Sequence, residues 1–240
     1  MKILFVQPMA VADEIIPPLH FGYLAGSISK GHEVRILDQL KDRYNLKHLL
    51  SIILRENPDV IGLSAYTKDL SFIYKFSIKL NHIVPDSKIV LGGVQMTLMP
   101  EETFRYLWNY VDFGFVGECE ADFSKFVDAF EIGIENENFK DFSNLVWKNN
   151  GEVIVNKKNI PNQLDALPFP RWELVDPRGY PKAPHGAFLK QFPAAPIITS
   201  RGCPYPCTFC AASSISEKKS DTDQWTMSLK KFNCSIKNLM

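Results

Sequence analysis

Three of the five cysteines in this 240-residue chain fall within eight positions, at Cys203, Cys207 and Cys210 of "SRGCPYPCTFC". The C-x3-C-x2-C spacing puts three thiolates on one short loop, and the thiolate is the form that ligates metals. Three ligands are one short of a closed tetrahedral zinc site. They suit a four-iron, four-sulfur cluster with one iron left open to an outside ligand. Two other readings stay open: zinc completed by a distant residue, and reactive thiols without metal. A disulfide fits poorly, because three cysteines leave one unpaired. Gly202 lets the chain turn sharply into the loop, and Pro204 and Pro206 stiffen it.

The rest of the composition narrows the setting. Lys plus Arg equals Asp plus Glu, 27 each, so the net charge is zero. Phosphate binding normally shows as a basic excess or stripe, so nucleic acid is not the predicted partner. No apolar run approaches the roughly 18 residues of a membrane helix. The start, "MKILFVQPMAVADE", is interrupted too early to read as a signal peptide. A reducing cytoplasm follows as the predicted compartment, where clustered cysteines are more often ligands than disulfides.

The elements that must position the loop alternate strand and helix. Strands are predicted over 2–8, 33–38, 59–66, 88–94 and 111–120, each a short apolar run bounded by turn residues. Helices are predicted over 21–32, 45–57, 69–84, 100–109 and 121–130. Gly31 is the expected stop of the first, with Phe21, Leu24, Ala25 and Ile28 on one face. Pro58 and Pro85 close the second and third, and Pro100 with two acids opens the fourth. Five such units read as an α/β, Rossmann- or flavodoxin-like domain with one five-stranded parallel sheet. Ligands of such sheets sit beyond the strands' carboxyl ends. The loops there are Gln7-Pro8, Ser64-Ala65-Tyr66, Gly92-Gly93 and Gly117-Glu118. Their glycines let a large or flat ligand approach the backbone, or merely permit tight turns. No G-x-G-x-x-G follows the first strand, which argues against a nicotinamide dinucleotide site.

Beyond this domain, alternation over 144–156 around Asn149-Asn150-Gly151 predicts a hairpin. Eight prolines between 161 and 196 mark a connector. "IITS" (197–200) resumes a strand that runs into the cysteine loop. The predicted organisation is therefore a domain over 1–134, a hairpin and connector over 135–195, and a further unit from 196 to 240.

"SRGCPYPCTFC" resembles the radical S-adenosylmethionine signature, with Phe209 in the aromatic slot before Cys210. The preceding domain resembles the cobalamin-binding domain that stands upstream of it in many members of that superfamily. "LGGVQMTLMPEETF" (91–104) and "VDFGFVGECEADF" (111–123) are similar to that group's G-G-x-x-x-T-x-x-P-E-E and G-E-x-E stretches. "PPLHFGYLAGSISKGHEVRILD" (17–38) resembles its first helix and second strand.

The resemblance implies a [4Fe-4S] cluster on Cys203, Cys207 and Cys210, with S-adenosylmethionine on the fourth iron. Reductive cleavage would then release a 5′-deoxyadenosyl radical, with methyl transfer or a rearrangement following. Phe209 would pack near the adenine. Cobalamin would contact Gln7, Pro8, Ser64, Ala65, Tyr66, Gly92, Gly93, Gly117 and Glu118. The implied partners are a small-molecule substrate and an electron donor such as a flavodoxin or ferredoxin.

The sequence departs from the pattern in two places. The D-x-H-x-x-G fingerprint is not intact: around His20, Pro18 stands for the Asp and Tyr23 for the Gly. His20 therefore reads as a helix-start residue, with cobalamin bound without a protein nitrogen on cobalt, and Cys119 reads as a buried thiol. The radical domain of such proteins has about six strand–helix units of ~30 residues each, yet only residues 211–240 follow Cys210. The expectation is a truncated or frameshifted relative that carries the start of a partial barrel. The alternatives are a non-catalytic cobalamin or corrinoid module with a vestigial cysteine loop, and a zinc-stabilised interaction domain.

Overall fold

The computed structural model describes residues 1–8, 15–133, 136–159, 164–182, 190–198, 200–203, 205, 207–215 and 225–226. In chain order the first half runs β1 (Lys2–Gln7), α1 (Leu19–Ser27), β2 (Glu33–Asp38), α2 (Gln39–Asp42), α3 (Leu46–Glu56), β3 (Val60–Ser64), α4 (Leu70–Ile83) and β4 (Lys88–Gly92). It continues with α5 (Val94–Leu98), α6 (Pro100–Tyr106), β5 (Phe113–Phe115), α7 (Glu120–Glu131), β6 (Leu145–Asn149) and β7 (Glu152–Val155). Then come β8 (Ser200–Arg201), α8 (Ala212–Ile215) and β9 (Trp225–Thr226).

Ile3, Leu4, Phe5 and Val6 of β1 are all buried. A strand covered on both faces has no solvent side, so its sequence is an unbroken apolar run. Successive side chains point to opposite faces. Leu4 and Val6 join the layer containing Leu49 and Ile53 of α3 and Ile73 and Phe76 of α4. Ile3 and Phe5 join Phe21 and Ala25 of α1 and Phe123 and Phe126 of α7. The sheet order is β2-β1-β3-β4-β5-β6-β7. The first five strands are parallel, and β6 and β7 add antiparallel.

Helix ends follow local chemistry. Asn45 caps α3 by accepting from His48 N at 2.9 Å, and Asn57 closes it in the left-handed region at φ 42°. Pro100 opens α6 with Glu101 and Glu102 in its first turn.

Several elements differ from expectation. Helix α1 ends at Ser27, because Ile28 is already extended, so Gly31 is not its stop. The fifth strand is three residues long rather than ten: the Asp112 side chain turns back to accept from Ile89 N, and Gly117 breaks the strand path at φ 65°. Helix α6 stops at Tyr106 and not at 109. The hairpin forms as expected, with Asn150 and Gly151 at positive φ, but it extends the main sheet from five strands to seven through Gly114↔Val146 and Phe115↔Leu145.

The proline-rich connector packs back on the sheet domain where it is described. Arg171 N donates to Gly22 O at 3.0 Å, and a Cβ on Gly26 would meet Phe169 O at 2.2 Å. Tyr180 Oη donates to the buried Asp38 Oδ2 at 2.6 Å. Strand β8 carries Ser200 and Arg201 and pairs antiparallel with β9. Most of the tail past Ile215, whose sequence loses its alternation, lies outside the described residues.

Candidate functional site: a strand-end cavity beside the cysteine loop

A cavity of about 530 Å³ opens at the carboxyl ends of β1, β3, β4 and β5. The order β2-β1-β3-β4-β5 places a topological switch point between β1 and β3, where open α/β sheets leave a crevice. Gln7 ends β1 on its wall, Ser64 ends β3, and Gly92, Gly93, Gly117 and Glu118 follow β4 and β5. Phe5, Phe21, Leu24 and Phe123 supply an apolar side. Tyr66 stands at the rim, 57% exposed.

The rim is held by backbone chemistry. Gly93 has φ 95°, and a Cβ there would lie 2.7 Å from both Ala65 N and Ser64 Oγ. Only glycine fits such a turn without strain. Ala65 N donates to Gly92 O, and Gln95 N donates to Ala65 O. Thr97 Oγ1 accepts from Gly117 N at 2.9 Å and donates to Gly93 O at 2.9 Å, which ties the two glycine turns together.

Charge concentrates at one end. Arg201 Nη2 donates to Glu120 Oε1 at 2.6 Å, and Nη1 lies 3.1 Å from Glu118 Oε2. The second contact is an ion pair without hydrogen-bond alignment. It leaves Arg201 Nη1, Glu118 Oε2 and Glu120 Oε2 with unused hydrogen-bonding capacity. The guanidinium also lies 5.4 Å from the Tyr23 ring centroid. Burial pushes the Glu118 carboxyl above its ordinary range, and Arg201 pulls it only partly back. Burial opposes the Arg201 charge as well, but Glu120 and Glu118 outweigh it and raise its pKa. Cys119 is half-buried on the cavity wall rather than fully buried as expected; desolvation pushes its thiol well up, aided by Glu120 and Asp122, so it stays protonated at neutral pH.

His20, second residue of α1, lines the cavity. The residue is exposed by surface area, yet the groups crowded around its ring disfavour imidazolium and lower its pKa to about 4. His20 is thus both a helix-start residue, as expected, and a neutral cavity group. Gln7 Oε1 is buried without a hydrogen-bond partner among the described residues, an acceptor at the end of β1.

Of the nine residues singled out for cobalamin, Gln7, Ser64, Tyr66, Gly92, Gly93, Gly117 and Glu118 line this one cavity. Pro8 and Ala65 are buried and do not. Sequence reasoning missed His20, Phe21, Asp69, Glu120, Phe123 and Arg201 as wall residues. Glu120 was within reach, since it sits inside the G-E-x-E stretch already marked, whereas nothing local ties Arg201 to this cavity.

The cysteine loop begins two residues after Arg201. Cys203 is half-buried and Cys207 and Cys210 are exposed. Cys210 N donates to Cys207 O at 3.1 Å, and Cys210 Sγ accepts from Ala212 N at 3.5 Å. Phe209 is 92% exposed and fills no loop core. Three thiols on one accessible loop are a donor set that suits an iron–sulfur cluster. Among the described residues, however, no three His, Cys, Asp or Glu side chains are gathered as a metal site. Nor is any described helix long and apolar enough to cross a membrane.

A model of the B12 binding domain matches residues 8–127. An uncharacterized methyltransferase of Pyrococcus horikoshii is 32% identical over 224 residues, 89% of this chain and 46% of that protein. The anaerobic magnesium-protoporphyrin IX monomethyl ester cyclase of Cereibacter sphaeroides is 26% identical over 220 residues, 88% of this chain and 35% of that one. This chain therefore spans less than half the length of these relatives. Among solved structures, a radical S-adenosylmethionine methyltransferase from Kitasatospora setae, with cobalamin and a [4Fe-4S] cluster bound, superposes with a TM-score of 0.69. The sequence identity is 16%, covering 99% of this chain and 45% of that one. The cobalamin-dependent radical enzyme OxsB, with aqua-cobalamin and S-adenosylmethionine bound, gives 0.74 at 18%, covering 99% and 31%. These likenesses show a shared fold.

Proposed function

The chain belongs to the B12-binding domain family, and from that premise we propose that it holds cobalamin in the strand-end cavity and a [4Fe-4S] cluster on Cys203, Cys207 and Cys210. The setting is radical S-adenosylmethionine chemistry on a small molecule in a reducing cytoplasm, with an electron donor such as a flavodoxin or ferredoxin. The observation that carries this reading is Gly117: it lines the cavity at φ 65°, and nothing lies within 4 Å of where a Cβ would stand, so a broad, flat ligand would meet bare backbone there.

When bound, the cluster would supply the electron that cleaves S-adenosylmethionine, and cobalamin would supply a methyl-carrying metal. The chain's own contribution is placement and exclusion of water. Phe5, Phe21, Leu24 and Phe123 present an apolar side. Gln7 Oε1 offers an unsatisfied acceptor to a ligand amide N–H. His20 stays neutral and adds no charge at pH 7. Phe209, exposed beside the last cysteine, would cover a bound adenosyl group.

A second reading is a cobalamin carrier whose cysteine loop, with Cys207 and Cys210 exposed, holds nothing. Anaerobic reconstitution with iron and sulfide separates the two. The cluster reading expects close to four irons per chain, lost when all three cysteines become Ala. The carrier reading expects cobalamin uptake with no dependence on iron.

A further inference from the structure

Two stretches that stand 81 positions apart meet in one buried ion cluster. Glu118 and Glu120 leave β5 for α7, and Arg201 leads from β8 into the cysteine loop. The side chains of Arg201 and Glu120 are each 8% exposed, and Glu118 is 27%. One charge-assisted hydrogen bond to Glu120 and one ion pair to Glu118 hold the guanidinium from two carboxylates at once. All three side chains line the cavity, and Arg201 is two residues from Cys203. Two carboxylates face one guanidinium, so Glu118 Oε2 and Glu120 Oε2 stay buried with unused acceptor capacity.

We propose that Arg201 is a positioning residue that couples occupancy of the strand-end cavity to assembly of the metal-bearing cysteine loop. The proposal rests on the cofactor assignment above. A ligand that fills the cavity packs against the Arg201–Glu118–Glu120 cluster and holds β8 in its paired position. The first cysteine is thereby fixed relative to the sheet. Conversely, a loop closed around metal holds Arg201 against Glu120 and preforms that end of the cavity. Binding at each site then strengthens binding at the other by the same factor, as thermodynamic linkage requires.

The test measures hydroxocobalamin affinity of the full chain by absorbance titration, with and without a reconstituted cluster. It is run on wild type, Arg201→Ala, Arg201→Lys and Glu120→Gln, with iron content and circular dichroism recorded for each. Wild type should bind cobalamin about 10-fold tighter when the cluster is present, within the usual range for coupled sites. Arg201→Ala removes a wall residue, so its affinity for cobalamin alone should fall as well, and the ratio with and without the cluster should fall to about one. Arg201→Lys should restore part of it, because an ammonium keeps the charge but lacks the two separate nitrogens that reach Glu120 and Glu118. If Arg201→Ala does not fold, Glu120→Gln and Arg201→Lys carry the comparison, and both should show a reduced ratio. A ratio of one in wild type, or an unchanged ratio in folded variants, overturns the coupling while leaving the cofactor assignment intact. Failure of wild type to bind either cofactor overturns that assignment and the coupling with it.

Discussion

Gly93 turns directly against Ala65, so that the loops after β4 and β3 meet with a hypothetical Cβ only 2.7 Å from Ala65 N and from Ser64 Oγ. Replacement of Gly93 by Ala forces a residue with a side chain to keep φ at 95° and pushes Ala65 away. The two effects together should cost about 1–3 kcal/mol. Thermal unfolding should fall by several degrees, and cobalamin uptake should fall with it. An unchanged melting temperature would refute the contact.

Gly26 of α1 is the corresponding close approach to the connector, with Phe169 O at 2.2 Å from a built Cβ. Gly26→Ala should lift the connector off the sheet domain, seen as faster proteolysis around residues 164–182 and a loss of about 2 kcal/mol or more. Gly31→Ala is the matched control, since a Cβ there meets nothing within 4 Å. It should be neutral or stabilising by up to about 1 kcal/mol.

Tyr180 and Asp38 join the connector to the end of β2. Burial raises the Asp38 carboxyl pKa, and the Tyr180 hydrogen bond opposes that rise. In Tyr180→Phe the carboxylate loses its opposing donor, at a cost of about 1–3 kcal/mol. A carboxyl whose folded pKa is raised is penalised in its charged form, and the penalty is relieved as pH falls through that pKa. The variant should therefore become less damaging in urea unfolding as pH is lowered from 7 through the raised Asp38 pKa. Equal losses across that range would remove Asp38 as the cause.

His20 carries the opposite sign. Its folded pKa, about 4, lies below the unfolded value near 6.5. The unfolded chain takes up the proton first, so stability is lost as pH falls between those values. An NMR titration of the imidazole should give a midpoint near 4, and His20→Gln should flatten the acid limb of the stability profile. A midpoint near 6.5 would place the ring in open solvent.

Much of this was legible in the sequence, for identifiable reasons. Apolar runs such as Ile3–Val6 and stops such as Pro58 and Pro85 are local signals, and they located four strands and the long helices well. The fifth strand was overread because "VDFGFVG" stays apolar after its pairing ends at Phe115. The hairpin was visible from Asn150-Gly151, but its docking on β5 depends on a free sheet edge that no local pattern displays. The cavity's glycines and strand-end residues followed from topology. Arg201 did not, because its partners Glu118 and Glu120 lie far away in the chain and only the fold brings them together. The exposure of Phe209 was likewise outside what a motif can state.

The claim on which the rest depends is that the strand-end cavity is where cobalamin sits. Equilibrium dialysis of the full chain against hydroxocobalamin, beside a folded Ser64→Trp variant, tests it most directly, because Ser64 lies on the cavity wall. The account predicts one cobalamin per chain in wild type, retained when Cys203, Cys207 and Cys210 are all Ala, and at least a 10-fold loss of affinity in Ser64→Trp. No uptake by wild type, or equal uptake by the blocked variant, would contradict it.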